Sequence, residues 1–369
     1  MAIRSTEALV TPQAKPGWSS KSGFGAERRV PAEWEPQECV WIAWPHNHDT
    51  WPGRFEPIPA FFAMWVKLIA ESLPVRVLAG KDGASECNSF LGSQNNVELI
   101  DMPTNDCWIR DYGPTFVLTD ADQSLSLVDW QYNAWGGKYP PWDLDAAVCQ
   151  SIGTQLHAPI AVSELVVEGG ALEFDGRGRL LTTASCLLAR NRNPGLDETT
   201  VGQELHRLTG VTEVVWLDGG GLDGDDTDGH IDQLARFTDG ENIVVCVSHH
   251  SQDNHAAKLN RNRLQLEAWA ETTFPKPTVH PLPAPAMRRI HEQAVPQSYC
   301  NFLRLGPDRL LVPKFQAPED DYAAGLLREL TGADVTQVDC SDLAWGLGAL
   351  HCASRDQPKI NAIERNTWH

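Results

Sequence analysis

The run Gly224-Asp225-Asp226-Thr227-Asp228-Gly229-His230-Ile231-Asp232 sets a proton-transfer group two residues from a carboxylate. The residues that follow predict a strand over Gln233–Thr238, whose alternation would turn His230 and Asp232 to one side. An imidazole and a fixed negative charge facing one pocket suit chemistry on a cation. The same histidine and acids, with Asp225, Asp226 and Asp228, also read as ligands for a divalent ion. The plainest reading is a polar turn carrying an incidental histidine. Towards the far end, Trp345-Gly346-Leu347-Gly348-Ala349-Leu350-His351-Cys352 brings flexible glycines up to a thiol. A nucleophilic thiolate needs that close approach and a positive neighbour; a buried, inert cysteine is the ordinary alternative. In Thr104–Pro114, Asp106 and Asp111 flank Trp108 and Arg110 ahead of a Gly-Pro turn. Arg110 there reads first as a structural ion pair with one of the two acids. Glu168-Gly169-Gly170 ends an apolar run, either delivering an acid to a sheet edge or closing a strand.

Those residues need a scaffold, and short apolar runs supply its strands. The pattern predicts strands over Val40–Trp44, Val75–Ala79, Val97–Ile100, Thr115–Leu118, Leu125–Trp130, Leu165–Glu168 and Leu180–Thr183. It predicts others over Val211–Leu217, Ile243–Ser248, Phe302–Leu305, Leu310–Phe315 and Val335–Asp339. Helical spacing recurs near Pro59–Glu71, Leu144–Ile152, Thr199–Leu208, Asn254–Glu271 and Glu319–Leu330, with Asp253 and Pro318 as plausible starts. Five helices thus punctuate the strands, while Pro275–Pro285 reads as a proline-rich connection. One α/β domain of repeated strand-strand-helix-strand units is the economical reading, ahead of two α/β domains.

Four ordered motifs resemble the agmatine deiminase family, also called Porphyromonas-type peptidylarginine deiminases. They are Asn105-Asp106-x-Trp108-x-Arg110-Asp111, Glu168-Gly169-Gly170, Gly229-His230-Ile231-Asp232 and His351-Cys352. Asn133-Ala134-Trp135-Gly136-Gly137 and Leu187-Leu188-x-x-Asn191-Arg192-Asn193-Pro194 extend the likeness, which runs from about Pro31 to Pro358. The resemblance implies a pentein fold, a five-bladed pseudo-symmetric α/β propeller of ββαβ units. It implies one catalytic domain, over 29–369, and the polar composition ahead of it reads as a flexible tail at 1–28. It also implies roles: Cys352 attacks a guanidinium carbon, His230 moves protons, and Glu168 orients His230. Asp106 and Asp232 grip the cation, and Trp108 and Arg110 join the substrate site. No metal or organic cofactor is expected. Agmatine is the first substrate, with peptidylarginine or another small guanidine as the alternative, since Arg110 or Arg355 would suit a carboxylate. The chain departs from the family's usual pattern at Ala349, Ser354-Arg355-Asp356 and Lys138.

Bulk properties agree with a small cationic substrate. The 369 residues carry a formal charge of −19, which opposes nucleic acid and anionic membranes. Apolar residues at 42% and charged residues at 21% are ordinary for a soluble enzyme. Nine cysteines without a C-x-x-C pair point to free thiols in a reducing, cytoplasmic setting. The polar stretch at 1–25 lacks the apolar core of a signal peptide, and a homodimer is compatible with all of this. Two rivals remain: a metal-dependent hydrolase built on the acidic run, and a polyamine-binding module without turnover, in which Cys352 would have no task. Gly219-Gly220-Gly221 makes a poor nucleotide loop, with no following Lys-Ser or Lys-Thr.

Overall fold

The computed structural model describes residues 28–360, apart from 120, 121, 123, 219, 251–253 and 291. Residues 1–27 of the expected tail, the last nine residues of the expected domain, the helix start at Asp253 and part of the triple-glycine run therefore lie outside the described residues.

Five sheets share one pairing pattern. In four of them a first strand runs antiparallel to a second, which runs parallel to a third. These are β4 (Thr115–Thr119), β5 (Ser124–Gln131) and β6 (Ile160–Val166); then β7 (Glu173–Phe174), β8 (Arg179–Thr183) and β9 (Glu213–Leu217). Next come β10 (Ala235–Phe237), β11 (Asn242–Val247) and β12 (Thr278–Pro283). After a hairpin of β13 (Arg288–Ile290) and β14 (Gln293–Val295) follow β15 (Leu303–Leu305), β16 (Arg309–Lys314) and β17 (Asp334–Asp339). The remaining sheet joins the ends of the chain. β18 (Ser354–Pro358) pairs antiparallel with β1 (Gln37–Ala43), which runs parallel to β2 (Val75–Leu78) and so on to β3 (Val97–Ile100).

A parallel pair needs a crossover, and a helix provides it every time. Ile58–Ala70, Val148–Leu156, Glu198–Thr209, Ala256–Thr272 and Asp320–Thr331 fill the five gaps between second and third strands, close to the five expected helices. Local chemistry sets their ends. Asp197 accepts from Thr200 N at 2.8 Å at the start of Glu198–Thr209, and Gly210 closes it in a left-handed cap. Val201, Leu205 and Leu208, spaced four and three apart, form its buried stripe. The helix Lys81–Leu91 was not anticipated; it is rich in small and polar residues, so its apolar period is faint. Among the described residues no helix is long and apolar enough to cross a membrane.

Three expectations need correction. Residues 278–283, read as a connection, form β12, an edge strand where Pro281 and Pro283 cost little pairing. The strand after His230 begins only at Ala235; Ile231–Gln233 is a 3-10 turn. Strand alternation therefore does not orient His230 and Asp232. The segment predicted as Leu165–Glu168 is the end of a longer strand, Ile160–Val166, leaving Glu168 in the turn beyond it.

Candidate active site

In each of those five sheets the first strand is entered through a tight turn, and the five turns carry the candidate site residues. The short helix Ile109–Tyr112 precedes β4 and bears Asp111; the 3-10 turn Gly169–Ala171, led by Glu168, precedes β7. Ile231–Gln233 precedes β10 and brings His230 and Asp232; Tyr299–Asn301 precedes β15 and brings Asn301. The turn before β18 holds Cys352. Consecutive turns pack on one another, and Arg110 N donates to Cys352 O at 3.2 Å, joining the last to the first.

Gly170 shows how tightly the groups converge. A Cβ there would lie 2.6 Å from His230 Nδ1, 2.7 Å from Asp111 Oδ1 and 3.1 Å from Asp232 Oδ2. Its own N–H donates to Asp111 Oδ1 at 3.0 Å. Alanine at 170 is expected to lower turnover by about 100-fold or more, because three candidate site residues must move by fractions of an ångström. Steady-state kinetics beside a thermal melt checks this, and wild-type turnover in a folded G170A protein would contradict it.

His230 is fully buried, with Nδ1 3.5 Å from Asp111 and Nε2 3.8 Å from Glu168. Burial disfavours its charged form, yet Asp111, Cys186 and Glu168 together outweigh burial and hold its pKa well above the usual value. Glu168 is equally buried. Burial pushes its pKa up, but His230 and the Arg192 guanidinium prevail and keep it ionised, with Arg192 Nε donating at 2.8 and 2.9 Å. Asp111 takes Trp135 Nε1 at 2.9 Å, and its pKa rises to about 6, chiefly from burial and then from Asp232, against the opposing pull of His230.

The Cys352 sulfur donates to Asp232 Oδ2 at 3.4 Å and accepts from Asn301 Nδ2 at 3.0 Å. Burial, followed by the charges of Asp232 and Asp111, holds its thiol well above the ordinary range. Asp232 in turn accepts from His351 Nδ1 at 2.8 Å, which outweighs burial and keeps the carboxylate low. His351 Nε2 meets Glu33 at 2.7 Å, and Glu33 also binds Arg236 and Arg110. The glycines before the thiol do allow close approach, as expected, but by an aromatic ring: a Cβ on Gly348 would lie 2.5 Å from Trp108.

A cleft of about 910 Å³ opens on this cluster, lined by Cys352, Asp111, Asp106 and Trp108 among others. Asp106 therefore faces the cleft, where Thr50 Oγ1 and Cys107 N both donate to it at 2.7 Å. It is Asp111 that stands beside His230 and Asp232. The sequence placed both acids in one motif but gave no reason to prefer the second. Arg110 lies off the cleft: its side chain binds Asp356 at 2.9 Å, Glu33 at 3.2 Å and His351 O at 3.2 Å. It pairs with neither Asp106 nor Asp111, and a substrate role does not fit this position. Arg355 is buried too, donating to Pro114 O at 2.7 Å, with its pKa lowered to about 10 by burial and by Arg110.

The acids of the proposed metal run are otherwise engaged. Asp225 takes Thr227 N, Thr227 Oγ1 and Gly229 N; Asp226 takes Tyr139; Asp228 takes Lys138 and Arg192. Among the described residues Glu168, Cys186 and His230 lie close enough to share an ion, but Glu168 already holds the Arg192 cation on both oxygens. The donor set suits a cation-and-thiol site better than a metal centre.

A family model described as Porphyromonas-type peptidyl-arginine deiminase matches residues 29–358. The chain belongs to this family. Among relatives of this deiminase-family chain, the agmatine deiminase of Pseudomonas aeruginosa (strain LESB58) is 32% identical over 354 residues, covering 89% of this chain and 95% of that one. A C. jejuni agmatine deiminase structure with substrate bound has a TM-score of 0.84 at 29% identity, covering 93% of this chain and 99% of that one. The Enterococcus faecalis agmatine deiminase structure has a TM-score of 0.84 at 28% identity, covering 90% and 96%.

Proposed function

We propose that this deiminase hydrolyses agmatine to N-carbamoylputrescine and ammonia through a covalent intermediate on Cys352. The observation that carries the reading is the convergence of Cys352, His230, Asp111 and Asp232 beside one cleft. A guanidinium stays protonated at any ordinary pH, so a site must hold it as a cation. Asp111 and Asp232 would bind its nitrogens in charge-assisted pairs, with Asp106 shaping the cleft alongside. The substrate's charge offsets the two carboxylates that keep the resting thiol protonated, which lets the thiol proton pass to water in the cleft. Cys352 sulfur then adds to the guanidinium carbon. His230, protonated and steadied by Glu168, gives its proton to one nitrogen, and ammonia departs as the C–N bond breaks. A covalent thiouronium remains. Neutral His230 takes a proton from water, hydroxide adds to the same carbon, and the C–S bond breaks as the hydroxyl proton passes to the departed ammonia or to water, freeing the ureido product and the thiolate.

Agmatine is favoured over peptidylarginine by what lines the cleft. Asp49, Asp106, Asp111, Asp145 and Asp226 face it against two lysines, Lys81 and Lys138. Lys138 is itself bound to Asp228. Arg110 and Arg355, the side chains suited to a substrate carboxylate, are turned into the protein. An acidic wall suits a dication. The repeated units and the succession of turns support a five-bladed propeller acting as one catalytic domain over 29–369.

The test is kcat/KM for agmatine, free arginine and a peptide ending in arginine. Agmatine should lead by at least about tenfold, or about 1.4 kcal/mol of transition-state binding. A lead for either arginine form would overturn the choice of substrate while leaving the chemistry in place.

A further inference from the structure

We propose that Asn301 is a catalytic residue whose side-chain amide fixes the Cys352 backbone and donates a hydrogen bond to its sulfur throughout the reaction. The inference rests on Cys352 being the nucleophile, and it concerns a residue that none of the family-like motifs contains. Four of the five entry turns deliver a chemical group to the cluster: Asp111, Glu168, His230 with Asp232, and Cys352. The fifth, Tyr299–Asn301, occupies the equivalent place before β15 and delivers Asn301.

Its orientation is determined by its partners. Oδ1 accepts from the backbone N–H of His351 at 3.1 Å and of Cys352 at 3.2 Å. Rotating the amide would aim its NH2 group at two donors, so Nδ2 is the atom left facing Sγ, at 3.0 Å. The turn is itself anchored: Ser298 Oγ accepts from Cys300 N at 3.1 Å and donates to Gln233 O at 2.7 Å. That second bond ties the Asn301 turn to the Asp232 turn. Asn301 is 2% exposed, so the donor works away from bulk water, where a hydrogen bond to an anion is strongest.

The chemistry needs such a donor twice. Asp232 Oδ2, also within reach of the sulfur, disfavours negative charge there, whereas the Asn301 amide favours it. The thiolate forms before attack and forms again when the C–S bond breaks, and Nδ2 faces the sulfur at both moments.

The experiment uses Asn301→Asp, which keeps an acceptor for both backbone N–H groups, and Asn301→Ala, which adds no charge. Two quantities are read: kcat and KM for agmatine, and the pH dependence of Cys352 alkylation by iodoacetamide, located by peptide mapping. The alkylation needs no guanidine substrate, so it is independent of the substrate assignment. Both variants should lose about 100-fold in kcat with KM changed far less, and the alkylation midpoint should rise by about one pH unit or more. Loss of activity with an unmoved alkylation profile in both variants would make Asn301 merely structural and overturn the proposal. So would retention of kcat within about threefold in either folded variant. If C352S still turns over, the nucleophile assignment fails instead.

Discussion

Replacing Cys352 with serine should abolish agmatine turnover while agmatine still binds. A serine hydroxyl beside Asp232 and Asn301 is far harder to ionise than a thiol, and Cys186, the other thiol near His230, does not line the cleft. The expected loss is at least about 10⁴-fold in kcat, the scale on which removing a nucleophile operates. Binding should persist because the cation's partners, Asp111 and Asp232, are untouched. Ammonia release and calorimetric titration of the variant with agmatine measure the two halves separately. Turnover above a few per cent of the wild-type rate would remove Cys352 from the mechanism.

The second large effect is expected at Asp111. Asparagine there keeps the shape and an acceptor for one of the two donors, Gly170 N or Trp135 Nε1, but removes the charge next to the thiol. Losing one carboxylate from a desolvated ion pair costs about 2–5 kcal/mol, so kcat/KM should fall by roughly 30- to 5,000-fold. Asp106→Asn should cost less, because Asp106 stands apart from His230 and Asp232 and is held by Thr50 and Cys107. The wild-type enzyme offers an independent check through pH. With the Asp111 pKa raised to about 6 in the free protein, protonation below that value yields a neutral acid that cannot pair with a cation. Agmatine KM should therefore rise as pH falls through about 6, and D111N should lose that limb. Equal damage from D106N and D111N would contradict the placement.

The five helices and most strands were legible because each carries its own local signal. Val201, Leu205 and Leu208 mark a helical face, and Asp197 and Gly210 mark its ends. What escaped were elements whose pattern is set by place rather than by sequence. The strand β12 contains prolines that only an edge position tolerates. The turn at Ile231–Gln233 looked like the start of a strand because short apolar runs do not distinguish the two. At the site, the sequence singled out Cys352, His230, Glu168 and Asp232 because a thiol, an imidazole and acids near glycines are unusual together. Asp111 sat in the same motif as Asp106, and linear spacing cannot say which acid points inward. Asn301 had no signal at all: it lies 51 residues from the thiol it touches, and an asparagine in a loop is unremarkable. Arg110 misled for the opposite reason, since its partners Glu33 and Asp356 are remote in sequence and invisible without the fold.

The strand that follows Cys352 pairs with β1, and His351 reaches Glu33 across 318 positions. Bringing such distant segments together carries the largest loop-closure entropy among the described residues, and contacts of that range form slowly. During folding, the Cys352 turn can reach Asn301 and Asp232, but it lacks the Glu33 bond to His351 and its own strand's pairing until residues near 33–43 have found those near 351–358. The enzyme should consequently gain activity in a late kinetic step, after most of its helical signal has returned. Damage to the β1–β18 seam should slow the recovery of activity far more than the recovery of secondary structure.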